Sequence, residues 1–193
     1  MHKLTSHLLG LASALVLSLP AGAQWTAAPA ANTPLGIFAG DSAVPKVAAC
    51  GDGSTWFGWF DNASGAYVVR VQKLDASGSP VFPAGLVVSS QPQSTSLVDW
   101  DLVHDGAGGC VLAFTDVRAS GDLDTYAYRI DATGASVWGA NGVTLSADND
   151  YEANPTIARL ADGAFVVAWA DFPSTGPGAI RMQKLDAQGT PQF

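Results

Sequence analysis

Three stretches of the chain repeat one spacing of apolar and polar positions. Phe57-Gly58-Trp59-Phe60-Asp61, Leu112-Ala113-Phe114-Thr115-Asp116 and Val167-Ala168-Trp169-Ala170-Asp171 each read apolar, small, aromatic, any residue, aspartate. Both faces of such a stretch are apolar, one lined by large side chains and one by small. That pattern predicts an inner strand covered on both sides by neighbouring sheets, large residues meeting small ones. Residues 67–74 (Tyr67-Val68-Val69-Arg70-Val71-Gln72-Lys73-Leu74) and 180–185 instead largely alternate apolar with polar, as half-buried strands do.

Turn signals separate these strands in a fixed order. Asp52-Gly53, Asp105-Gly106 and Asp162-Gly163 precede the inner strands and predict hairpins, because glycine accepts positive φ without strain. Leu74-Asp75-Ala76-Ser77-Gly78, Ile130-Asp131-Ala132-Thr133-Gly134 and Leu185-Asp186-Ala187-Gln188-Gly189 follow the alternating strands. They read as turns in which Asp accepts backbone N–H bonds and Gly turns left-handed. An aromatic residue, Phe82, Trp138 or Phe193, stands four positions after each of these glycines.

The inner-strand aspartates and the Asp-Ala-x-Gly turns recur every 55 or 56 residues. One repeat holds strand A near 45–50, strand B near 55–60, strand C near 66–74 and strand D near 80–89. Four antiparallel strands in that length make one β-propeller blade. The expected class is therefore all-β, with about three four-stranded blades in an incomplete ring. The blades are expected at 45–90, 95–147 and 152–193, within a repeat region over 24–193. A β-sandwich shares the short strands but has no need of the period. The residues expected to build the blades are Asp61, Asp116, Asp171, Trp59, Phe114 and Trp169, with turns at Asp75, Gly78, Asp131, Gly134, Asp186 and Gly189.

Phe114-Thr115-Asp116-Val117-Arg118, followed by Asp124-Thr125-Tyr126-Ala127-Tyr128-Arg129-Ile130, resembles the W-x-D-x-R … D-x-Y-x-x-R repeat of exported bacterial propeller-like proteins. Such proteins often carry C-terminal sorting or immunoglobulin-like domains. The resemblance implies a fold and a location more than an activity. Ala63 and Pro173 stand where the other two repeats would need the arginine, so Asp–Arg pairing is expected in the middle repeat alone. The Asp-Ala-x-Gly-x-x-x-aromatic turn is also similar to quinoprotein propeller repeats, read as shared blade architecture.

The segment around Asn32-Thr33-Pro34-Leu35-Gly36-Ile37 approaches Pro45 much as Gly142–Ser146 approaches Pro155. A lone outer strand is therefore expected within 24–44, and the third blade is expected to lack its last strand. Two explanations fit: a longer protein with more blades, or a chain that pairs with a copy of itself through open blade edges, which template association.

Lys3, an apolar run from Leu8 to Leu19, Pro20 and Ala21-Gly22-Ala23 have the parts of a secretory signal peptide over 1–23. The run is shorter than a membrane span, so an exported, soluble protein is expected, extracellular, on the cell surface or in the periplasm. The whole chain carries net charge −8, which argues against nucleic acid as partner. Glu152 is the one glutamate, and the remaining acids are aspartates suited to turns. Cys50 and Cys110 fall at different positions of successive repeats, open to a disulfide or to two separate thiols.

No catalytic residues are assigned. His104 flanks a turn and has no nucleophile in its motif, so no triad is legible. A glycosidase needs two carboxylates, and the many aspartates sit mostly in turns. Arg70 and Arg181 are equivalent, with Tyr126 between, so an arginine cluster is incomplete. Calcium is the candidate cofactor, at Asp148, Asp150 and Glu152, with Asp122 and Asp124 a second oxygen-rich segment. Asn62-Ala63-Ser64 is a glycosylation sequon. The reading is a non-enzymatic exported binding or scaffold module for glycan or protein. The competing reading is a sialidase-like, glycan-active hydrolase with catalytic residues partly outside this chain.

Overall fold

Asp75, Asp131 and Asp186 each fold their own turn. One carboxylate oxygen of each accepts the backbone N–H groups two and four residues on, at 2.8 and 2.9 Å, 2.8 and 3.0 Å, and 2.9 and 2.8 Å. Gly78, Gly134 and Gly189 close these turns at φ of 82°, 90° and 84°, where a side chain would be strained. The computed structural model describes residues 30, 32, 34–35, 39–93, 98–119 and 121–193. The expected signal peptide and much of the expected lone strand within 24–44 lie outside the described residues.

The turns connect three antiparallel sheets. The first is β1 (Ser42–Ala49), β2 (Thr55–Asp61), β3 (Val68–Leu74) and β4 (Leu86–Ser89), paired in that order. The second is β5 (Asp101–His104), β6 (Cys110–Asp116), β7 (Asp124–Ile130) and β8 (Val143–Thr144). The third holds three strands among the described residues, β9 (Tyr151–Arg159), β10 (Phe165–Phe172) and β11 (Ala179–Leu185). The first strands of successive sheets lie side by side, β1 against β5 and β5 against β9. The sheets are thus blades set around an axis, and the arrangement is an unclosed β-propeller type. No described helix is long and apolar enough to cross a membrane.

Two strand positions differ from expectation. Strand A begins at Ser42 instead of 45. Strand D is confined to Leu86–Ser89, because residues 80–85 form a bridge from Leu74 to Pro80 and a turn from Phe82 to Gly85. The hairpin register is corrected too. Cys50, Asp105 and Leu160 donate to Ser54, Gly109 and Ala164 at 2.9, 3.0 and 2.8 Å, so the equivalent turn glycines are Gly53, Gly108 and Gly163. Asp105-Gly106 sits two residues earlier than its apparent counterparts. From this earlier position the buried Asp105 carboxylate accepts from Ala107 and Gly109, two and four residues on, and also pairs with Arg129.

Two apolar cores separate the blades. Trp56, Phe60, Val69 and Val71 of blade 1 meet Leu102, Cys110, Leu112 and Phe114 of blade 2. Val111, Ala113 and Ala127 on the other face of blade 2 meet Phe165, Val167 and Trp169 of blade 3. All seven residues of β6 are buried, as the two-faced apolar pattern requires. The expected fit of large against small is literal at Gly58. A Cβ there would stand 2.5 Å from Cη2 of Trp100, so only glycine admits the indole. Trp100 also donates Nε1–H to the Val44 carbonyl at 2.8 Å, tying β1 to the entry of β5.

Candidate functional site

At the end of each central strand lies a buried aspartate, Asp61, Asp116 or Asp171, exposed by 2% or less. A buried carboxylate needs a counter-charge or hydrogen bonds. Each has an arginine, which corrects the expectation that pairing is confined to the middle repeat. Arg70 stands 3.7 Å from Asp61, and Arg181 Nε donates to Asp171 Oδ2 at 2.6 Å. Both arginines come from the third strand of their blades, across from Trp59 and Trp169. In blade 2 that position is Tyr126, opposite Phe114. There Arg118 arrives along the chain from two residues beyond Asp116, contacts both carboxylate oxygens, and lies 3.8 Å from the centroid of the Tyr126 ring. The ion pair is one feature of the blade built from two sequence positions.

A pocket of about 250 Å³ opens between blades 2 and 3, lined by Leu145, Ser146, Asp148, Glu152, Trp169, Asp171 and Arg181. Glu152 is carried inward on β9, with its backbone N–H bonded to the Leu123 carbonyl at 3.0 Å. Its side chain is 1% exposed, and Oε2 has no hydrogen-bond partner. Burial pushes the carboxyl up to about 8, and the Asp148 carboxylate adds to the rise while the Ser146 hydroxyl opposes it. Glu152 is thus a neutral acid at pH 7. Asp171 Oδ1, in the same pocket, is also buried without a partner, its other oxygen being held by Arg181. The pocket therefore sets a protonated carboxyl beside an ion-paired carboxylate, each with one buried oxygen that accepts no hydrogen bond.

Two repeats earlier, the same groove exists with different chemistry. Leu35, Ser42 and Trp59 line a pocket of about 350 Å³ at positions equivalent to Leu145, Glu152 and Trp169. The scaffold is repeated, and the acid is not. Glu152 standing where the first repeat has Ser42 is the signal present in the sequence, where it suggests an oxygen ligand for a cation.

Of the calcium candidates, Asp148 and Glu152 share the pocket, whereas Asp150 accepts the Ser174 N–H at 3.3 Å. No group of three or more His, Cys, Asp or Glu side chains among the described residues is disposed to hold a metal ion. Asp124 is fully buried at the start of β7, and its charge also raises Glu152. His104 ends β5 and faces a separate groove at the hairpin end of the blades, with Cys50, Asp52 and Arg159. Cys50 and Cys110 are unbridged, and burial pushes both thiols up, Cys110 the further.

With this geometry in hand, comparison with solved structures fixes the architecture. An α-L-arabinofuranosidase from Fusarium graminearum, in complex with an iminosugar inhibitor, superposes with a TM-score of 0.54 at 10% identity, covering 82% of this chain and 51% of that one. The fold is shared. An endo-arabinase from Bacteroides thetaiotaomicron matches with a TM-score of 0.44 at 20% identity, over 78% of this chain and 59% of that one. A sialidase from Streptococcus pneumoniae matches with a TM-score of 0.43 at 10% identity, over 75% and 22%. The chain spans about half the length of the arabinofuranosidase. No protein-family model and no curated protein matches the sequence.

Proposed function

We propose that this chain is the blade-bearing part of an exported, glycan-active hydrolase, with Glu152 as proton donor in the pocket between blades 2 and 3. One observation carries the reading: a single buried carboxyl, raised to about 8, shares a cleft with an ion-paired aspartate whose Oδ1 is unfilled. Glycoside hydrolysis needs that division of labour between two carboxyl groups. Glu152 donates its proton to the glycosidic oxygen as the C–O bond breaks. Asp171 stabilises the positive charge that develops on the sugar. Water supplies the hydroxyl at the cleaved carbon and returns a proton to the acid. Trp169 and Leu145 provide apolar wall against a sugar face. The fold shared with an arabinofuranosidase is consistent with this chemistry, and the fold alone does not select it.

The test is a panel of chromogenic glycosides and natural polysaccharides with the exported protein and its Glu152→Gln variant. Hydrolysis is expected to fall by about 10²–10⁴-fold in the variant, with an unchanged far-ultraviolet spectrum. Activity should also decline as pH rises through about 8, where Glu152 loses its proton. Unaltered turnover in the variant would refute the assignment. Glycan binding without hydrolysis of any substrate would return the chain to a binding or scaffold role.

A further inference from the structure

Both ends of the row of blades expose positions that the middle blade buries. On the side of blade 2 that faces blade 3, Thr125 and Ala127 of β7 are fully buried. Strand pairing makes Ile180 and Met182 of β11 their counterparts, and these are 77% and 51% exposed. On the opposite side of their blades, Leu102 and Ile157 pack against the preceding blade and are 3% and 6% exposed. Their counterpart in blade 1, Val47, is 62% exposed and pairs with the half-buried Phe57. The two bare faces match each other as the packed faces do. Small Ala168 and Ala170 stand on the blade 3 face, and large Phe57 and Trp59 stand on the blade 1 face.

The outer edge of β11 is open in the same register. In blade 2 the fourth segment hangs on β7, where the Leu145 N–H donates to the Thr125 carbonyl at 2.9 Å. Ile180 stands at the place of Thr125, and no described strand pairs with β11 on that side. Leu35 takes the place of Leu145: it precedes Ser42 by the spacing at which Leu145 precedes Glu152, and it lines the groove against Trp59. We propose that two copies of this chain close head to tail into one ring, the blade 3 face of each packing on the blade 1 face of the other. Leu35 of the second copy then donates its N–H to the Ile180 carbonyl and completes the third sheet. A second copy is the occupant that the repeat itself fits, because its blade 1 face is the counterpart of the faces by which blades 2 and 3 dock within the chain. Two arcs of three blades give six, within the range of closed propellers. Closure of such a head-to-tail contact covers both open edges and both bare faces at once. The inference does not rest on the chemistry proposed for Glu152.

The experiment is sedimentation equilibrium of the exported protein across a concentration series. The mass of two chains is expected. Ile180→Asp changes an exposed side chain, so the single chain folds as before, whereas the contact between copies then buries an unpaired carboxylate. The variant should dimerise about 10²-fold more weakly, with an unchanged far-ultraviolet spectrum. Val137→Asp is the control: Val137 is 46% exposed although blade 2 has a neighbour on both sides, and this variant should remain a dimer. A single-chain mass for the parent overturns the inference. So does an open series of larger species, or a dimer that Ile180→Asp leaves as tight as before.

Discussion

Arg118 pairs with Asp116 two residues before it and stacks on Tyr126, which occupies the place that an arginine holds in the neighbouring blades. Its guanidinium also reaches the Tyr128 hydroxyl at 3.0 Å, the Asn141 carbonyl at 2.9 Å and the Ser89 hydroxyl of blade 1 at 3.1 Å. One planar cation thus neutralises a fully buried carboxylate and joins two blades.

Removing that cation leaves Asp116 charged and buried without a counter-ion. Arg118→Ala should lower unfolding stability by about 3–5 kcal/mol, read from urea denaturation at pH 7. Arg118→Lys should recover only part of it, because an ammonium cannot make the two-pronged contact or stack on Tyr126 as a plane. Full recovery by lysine would show that charge alone suffices.

Gly58 admits the Trp100 indole between blades 1 and 2. Gly58→Ala forces a Cβ into the indole and should cost about 1–3 kcal/mol. The double variant with Trp100→Ala should cost less than the sum of the singles, since the smaller side chain removes the clash. A double-mutant cycle by thermal or chemical unfolding measures this coupling, and additivity would place the two residues out of contact.

Glu152 makes stability depend on pH with a definite sign. Its folded value of about 8 lies above the ordinary 4.5, so the folded chain keeps a proton that the unfolded chain releases. Stability from this group is therefore greatest below about 4.5 and falls as pH rises towards 8, with a limiting slope of about 1.4 kcal/mol per pH unit. Glu152→Gln cannot ionise, so the variant should gain on the parent across that window. A constant difference between the two unfolding curves from pH 5 to 8 would contradict the buried, protonated acid.

Much of the architecture was legible because it is written locally and three times. Asp75 and Gly78, with their two counterparts, specify a turn from four residues, and the apolar-small-aromatic spacing specifies a strand covered on both faces. The blade ion pairs were legible only in part. A search for arginine at one offset finds Arg118 and misses Arg70 and Arg181, which reach Asp61 and Asp171 across a strand pair. The hairpin at Asp105 misleads for a similar reason: the Asp-Gly pair matches its neighbours in identity and differs by two residues in register.

The sequence by itself determined the repeating strands, their turns and the two-sided burial of the central ones, since each depends on residues within a few positions of one another. Only the tertiary structure decided which blade faces meet, that Trp100 enters over Gly58, and that Glu152 shares a cleft with Asp148 and Asp171. The acidity of Glu152 depends on water excluded by two blades and on charges brought from β7 and the loop before β9. Those groups become neighbours only when the sheets pack, so no local pattern could announce them.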